Sequence, residues 1–237
     1  MKEAIKSILK SINLYYNKPY NVPENTLLGI KSLSIKTIID IGANEGQFAK
    51  SILQTFPSAR LFCFEPLPNA FTALESWKKE TGKDVTIFNV ALGDNEGVVA
   101  MNLHVDHSTS SSILQSTRNN DELFPETANQ TKIDVKMTTL DKALSSLSNM
   151  LVEDIFIKVD VQGFEVKVIE GGQGIFRLAK AVILEVCVES LYDGQSEFTT
   201  ILGKMEKLGF KYSGNLQQYY DKQDGRTQFF DAVFLKK

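Results

Sequence analysis

The 237-residue chain has only two cysteines, Cys63 and Cys187, and only two histidines, His104 and His107. No C-x-x-C pair or H-x-x-x-H spacing is present, so the sequence offers neither a zinc site nor a disulfide framework. Both cysteines sit in apolar, strand-like runs and read as buried reduced thiols. Basic residues are not in excess: 26 Lys and Arg face 29 Asp and Glu. No basic stretch alternates with aromatics, which removes the electrostatic case for nucleic acid. No apolar run approaches the ~20 residues of a membrane span. Lys6 and Lys10 interrupt what would be the apolar core of a secretory signal. A cytoplasmic protein is the expectation that follows. A G-x-S-x-G nucleophile elbow is missing too.

What is present is alternation. Residues 1–18 read as an amphipathic helix, with Ile5, Ile8, Leu9 and Ile12 on one face and lysines opposite. With the Pro/Asn-rich stretch 19–35 it forms an N-terminal helical cap and lead-in, residues 1–35, ahead of one domain over 36–237. The length and a hydrophobic content of 43% suffice for a full α/β core. Strands are expected near 36–41, 60–65, 84–91, 154–160, 180–188, 209–213 and 228–235. Helices are expected near 46–56, 68–81, 164–171 and 195–208. Repeated strand-then-helix units give a mostly parallel sheet with helices on both faces. Asn215 to Arg226 is polar without helical period, which suits an antiparallel hairpin at the C-terminus. Residues 94–140 break the alternation and read as a β insertion carrying a substrate-facing loop.

The most informative stretch is Thr37-Ile-Ile-Asp-Ile-Gly-Ala-Asn-Glu-Gly-Gln-Phe48. A β-branched strand runs into a loop with Gly42 and Gly46, and helical spacing restarts at Phe48, Ile52 and Leu53. Strand, glycine turn and helix make a nucleotide cradle, in which glycine lets backbone approach a ligand. The pattern is not G-x-G-x-x-G. Asp40 at the strand tip would repel a pyrophosphate and suits a cationic ligand, which favours S-adenosylmethionine (SAM) over NAD. The second strand, Arg60-Leu-Phe-Cys-Phe-Glu65-Pro66, ends in an acid. It lies about 20 residues past the glycines, where a ribose-binding carboxylate appears in nucleotide folds. The alternative is an ordinary acid at a helix N-terminus.

Taken in order, the motifs resemble the FkbM-type SAM-dependent methyltransferases. Ile39–Phe48 looks like the first SAM motif, Phe64-Glu-Pro66 like the ribose motif and Asn89-Val-Ala-Leu-Gly-Asp94 like the third-strand motif. Ser110-Ser-Ser112 is similar to a serine-rich signature, and Ile157-Lys-Val-Asp-Val-Gln-Gly-Phe-Glu165 is the most specific piece. The resemblance implies a Rossmann-like class I SAM-methyltransferase sheet and methyl transfer to a hydroxyl of a small molecule, often a sugar or glycan. It implies cofactor contacts from Asp40, Gly42, Asn44, Gly46, Glu65, Pro66, Ala91, Leu92, Ser112 and Asp160. A homo-oligomer is left open, and no metal is expected.

Asp160 ends the fourth strand, where ligands of such sheets bind. It suits the methionine end of the cofactor, the acceptor hydroxyl as general base, or both. Glu165 begins the next helix. Glu185 lies inside an apolar strand and needs a partner, for which Lys158 across adjacent strands is the candidate. Histidine is the side chain suited to proton transfer near neutral pH, so His104 or His107, both just before the serine loop, is a further base candidate. Two other readings remain: an NAD-dependent or nucleotide-sugar enzyme, which would lack its glycine fingerprint here, and a non-catalytic SAM-binding module.

Overall fold

The computed structural model describes residues 22–147, 151 and 153–237. The amphipathic helix expected over 1–18 lies outside the described residues. The first half of the chain holds α1 (Pro23–Thr26), β1 (Thr37–Ile41), α2 (Gln47–Thr55), β2 (Arg60–Phe64), α3 (Pro68–Thr81), β3 (Val85–Phe88), β4 (Ala91–Leu92) and β5 (Gly97–His104). There follow α4 (Arg118–Leu123), β6 (Gln130–Thr138), α5 (Leu140–Ser145), β7 (Ile155–Val159), α6 (Glu165–Gly171) and α7 (Gln173–Leu178). The chain closes with β8 (Ala179–Cys187), α8 (Phe198–Lys207), β9 (Phe210–Tyr220) and β10 (Thr227–Lys236).

Seven strands form one sheet in the order β3-β2-β1-β7-β8-β10-β9. The first five are parallel, and β10 is antiparallel to β8 and β9. This is the expected Rossmann-like sheet with its antiparallel C-terminal hairpin. The chain winds outward from β1 to β3, then returns to place β7 on the other side of β1. The switch point is therefore between β1 and β7.

Period-two alternation sorts the side chains. Ile39, Ile41, Phe62, Phe64, Ile157, Val159, Val182 and Leu184 pack beneath α5 to α8. Ile38, Leu61, Cys63, Phe156, Ala181, Ile183 and Val233 face the other way, against Ala49, Ile52 and Leu53 of α2 and Leu74 of α3. Burying an isoleucine contributes about 1.5–3 kcal/mol. Three of them in β1, all at 1% exposure or less, outweigh the few kcal/mol of burying Asp40 among them. Ile30, from the lead-in segment, is fully buried in the second cluster. The described part of that segment is thus packed into the domain.

Three expectations are corrected. The strand over 84–91 is two strands in two sheets: β3 belongs to the large sheet and β4 pairs with β6 in a small one, order β4-β6-β5. Between them Asn89 Nδ2 donates to the Glu65 and Pro66 carbonyls (2.9 and 3.1 Å), which bends the chain away. The last hairpin is longer than its apolar pattern, because β9 continues through Asn215–Tyr220 as an edge strand with bulges. The 94–140 region holds the β insertion, and also α4, which the sequence reading lacked.

Candidate active site

The loop from Gly42 to Gly46 crosses the end of β2. The Gly42 and Ala43 N–H groups donate to the Phe64 carbonyl (3.0 and 3.1 Å), and Gly46 at φ +86° starts α2. Gly42 has φ +78°, and a β-carbon there would lie 1.8 Å from the Asp160 carbonyl oxygen. The space left by its missing side chain is taken by the end of β7, while Gly42 itself lines the cavity described next.

A cavity of about 500 Å³ opens at the carboxyl ends of β1, β2, β4, β7 and β8. Its wall carries Gly42, Asn44, Glu65, Pro66, Ala91, Leu92, Asp160 and Glu185 of the expected residues. Apolar surface comes from Phe48, Phe64, Met101 and Ile113. Glu65 is only 3% exposed. Its Oε2 accepts the Asn44 N–H (2.7 Å) and its Oε1 accepts the Leu67 N–H (2.8 Å). Burial pushes the Glu65 carboxyl up to about 7, against the pull of those two hydrogen bonds.

Alternation puts five charged side chains on one face of the sheet. Asp40 registers with Lys158, and Glu185 with Asp231. Lys158 pairs with Asp160 Oδ2 at 2.9 Å, two residues along its own strand. The cross-strand pair to Glu185 expected from sequence is therefore replaced, because i and i+2 share a face. Burial would raise the Asp160 carboxyl, but the Lys158 ammonium and hydrogen bonds from Lys158, Gln162 and Glu185 hold it below the usual range. Burial, then the charges of Asp160 and Asp231, push Glu185 well above it. Two carboxylates this close do not both ionise readily. Burial and the Asp160 charge bring Asp231 up to about 6.

Gln162 joins the group. Its Nε2 donates to Asp160 Oδ1 (2.7 Å) and Glu185 Oε2 (2.5 Å), and its Oε1 accepts the Tyr192 hydroxyl (2.6 Å). Sequence reasoning missed Gln162, Tyr192 and Asp231. Asp231 carries the same signal as Glu185, an acid inside an apolar run, here Phe229–Phe234. No comparable signal marks Tyr192.

Other expected residues lie off this wall. Asp40 is fully buried on the α2 side of the sheet and does not line the cavity. Its oxygens make no hydrogen bond within distance and angle limits among the described residues. Burial raises its carboxyl to about 6, opposed mainly by Lys158 and slightly by the Ala49 N–H. Gly46 also lies behind the wall, packed toward Leu74. Ser112 donates to the Gln162 carbonyl (2.7 Å) and accepts the Leu114 N–H (3.0 Å), pinning the serine loop from outside. Ser108 and Ser111 line the cavity in its place. Glu165 is 3% exposed and accepts the Val161 and Gly163 N–H groups (3.3 and 3.0 Å). It shapes the turn after β7 and does not reach the cavity. His104 is buried, its Nδ1 donating to the Thr127 carbonyl. His107 lines a smaller cavity of about 130 Å³, which shares Asp160, Gln162 and Glu185 with the larger one. Among the described residues no group of three or more His, Cys, Asp or Glu is arranged to hold a metal ion, and no helix is long and apolar enough to cross a membrane.

Residues 40–212 match the family model described as the methyltransferase FkbM domain. Over 172 residues the chain is 28% identical to the 2-O-methyltransferase NoeI of Sinorhizobium fredii, covering 70% of this chain and 69% of that protein. Among solved structures, it is similar to precorrin-6y C5,15-methyltransferase from Geobacter metallireducens (13% identity, TM-score 0.46, 90% of this chain and 87% of the other). An rRNA methylase from Streptococcus thermophilus is also similar (9% identity, TM-score 0.44, 94% and 98%).

Proposed function

Since the chain belongs to the FkbM methyltransferase family and is a SAM-dependent methyltransferase, we propose that it methylates a hydroxyl of a sugar or glycan. One observation carries this reading. The cavity that holds the oriented Glu65 carboxylate runs without a break to the Asp160–Glu185 pair, so donor and acceptor share one space. The 2-O-methyltransferase relative supports a hydroxyl acceptor.

The residues fit SAM. Glu65 keeps lone pairs free beyond its two backbone bonds and is the candidate for the ribose hydroxyls. Gly42, Asn44 and Pro66 would line the same subsite. Ala91, Leu92, Phe64 and Met101 offer apolar surface for the base. The carboxylate row, with Lys158 as its one cation, favours a cationic ligand end. When bound, SAM supplies an electrophilic methyl on a sulfonium.

The chain's own residues then handle the proton. Asp160 is the ionised member of its pair, and in this reading it accepts the proton of the attacking hydroxyl. Glu185 carries the proton the pair retains. Gln162 fixes both carboxylates through one amide, and Tyr192 fixes Gln162. Lys158 keeps Asp160 ionised, which weakens it as a base but secures the form able to accept. The test is calorimetry with SAM and with NAD, followed by transfer of radiolabelled methyl to a panel of sugars. Binding of NAD in place of SAM would defeat the reading, and so would binding of SAM without transfer to any hydroxyl.

A further inference from the structure

Where the two cavities meet, three aromatic rings come together from distant parts of the chain. Tyr219 and Phe229 are direct cross-strand partners in the β9–β10 hairpin. Their rings stack at 5.0 Å with planes 6° apart. Phe124, from the insertion, stands tilted to both, at 5.6 Å from Tyr219 and 6.3 Å from Phe229. The Tyr219 and Phe229 rings cover one face of each other, so the apolar surface they offer is their outer faces and edges, with Phe124 inclined beside them. Tyr219 lines the larger cavity, Phe124 the smaller, and Phe229 both. Tyr219 is 40% exposed, so this apolar surface is not fully consumed in the core.

Polar groups adjoin it. Gln217 and Gln218 line the same cavity, as does Asp231, two residues from Phe229 on the same face. Aromatic surface beside amides and a carboxylate suits a molecule with one apolar face and a rim of hydroxyls. The charges narrow the choice further. Lys158 is the one cation on either cavity wall among the described residues, and it is bound to Asp160. A phosphate would meet carboxylates with nothing to balance it.

We propose that Phe124, Tyr219 and Phe229 form the acceptor subsite, and that it takes a neutral pyranose ring and not a nucleotide sugar. This rests on the methyltransferase reading above and deepens it by naming the residues that seat the sugar and the charge it must lack.

The test uses the full chain, radiolabelled SAM and three groups of acceptor: methyl gluco-, galacto- and mannopyranosides, UDP-glucose, and catechol. Transfer to at least one pyranoside, in preference to UDP-glucose and catechol, is expected. Tyr219→Ala and Phe124→Ala should each raise the pyranoside KM about tenfold, the worth of an aromatic contact of about 1.4 kcal/mol. Tyr219→Phe should restore the wild-type KM, since the ring and not the hydroxyl acts. SAM affinity by calorimetry should be unchanged in all three, which also reports that they fold. Unchanged KM in both alanine variants overturns the subsite. Preference for UDP-glucose or catechol overturns the acceptor class. If SAM binds but no pyranoside is methylated, the proposal falls while the cofactor reading stands. If SAM does not bind at all, both fall.

Discussion

Replacing Gly42 with alanine should damage the molecule far more than a one-carbon change implies. The new β-carbon would sit 1.8 Å from the Asp160 carbonyl oxygen. Carbon–oxygen contacts settle at about 3.3 Å or more, so the ends of β1 and β7 must part by roughly 1.5 Å. That strains the Asp160 N–H bond to the Ile41 carbonyl (3.0 Å) and the two bonds from Gly42 and Ala43 to Phe64. Three such bonds at about 1 kcal/mol each, plus about 1–2 kcal/mol for a non-glycine residue in left-handed backbone, give a loss of about 4–5 kcal/mol. Gly82 is the control. It has φ +61° and nothing within 4 Å of its would-be β-carbon, so Gly82→Ala meets only the backbone term. In a chain of this size each kcal/mol lowers Tm by about 2–4 °C. Gly42→Ala should therefore melt at least about 6 °C below Gly82→Ala. Urea titration followed by Trp77 fluorescence gives the same comparison as free energy. Equal stabilities for the two variants would refute the steric argument.

Glu65→Gln should weaken SAM binding by about 1.5–3 kcal/mol in calorimetry, because an amide can serve only one of the two N–H groups from Asn44 and Leu67 and loses the charge; an unchanged Kd would remove Glu65 from the donor site. Asp160→Asn should lower kcat at saturating SAM by about 10²–10⁴. Asp231→Asn should cost less than Asp160→Asn, and the reverse ranking would move the proton acceptor to Asp231. Glu65 and Glu165 both titrate near 7 in the folded chain, above their ordinary 4.5. Between those values the folded protein holds protons that the unfolded chain has released, so stability of the ligand-free protein should fall as pH rises from about 5 to 7. Urea midpoints across that range check the sign, and a rising midpoint would contradict it.

The large sheet was legible because its signals are local. Ile38, Ile39 and Ile41 announce β1, and glycine after them announces the turn to α2. Cavity-wall residues at strand ends, Glu65 and Asp160 above all, were legible for the same reason. What failed depended on partners far away in sequence. Glu165 and Ser112 sit in recognised motifs, yet their side chains are consumed by backbone groups of the Val161–Gly163 turn. Asp40 alternates inward beneath α2, which a motif cannot reveal. The run Asn215–Tyr220 hid a strand because an edge facing a cavity needs no apolar pattern. Phe124, Tyr219 and Phe229 are unremarkable singly, and only the fold brings them into contact.

The same register that builds the sheet also fixes the electrostatics of the site. Asp40, Lys158, Asp160, Glu185 and Asp231 share a face because β1, β7, β8 and β10 align them. A slip of one residue in β7 would turn Lys158 and Asp160 into the opposite apolar layer. Four carboxylates against one ammonium is an unbalanced group in a low-dielectric setting. Burial raises Asp40 and Asp231 to about 6 and Glu185 further, while Lys158 and Asp160 stay charged together. What the face still lacks is positive charge on its cavity side. A cationic methyl donor supplies that charge and loses it on transfer, when the sulfonium becomes a neutral thioether. On the proposed placement of the donor, the same acids would favour the sulfonium over the neutral thioether, so the spent cofactor would be held less tightly than the donor.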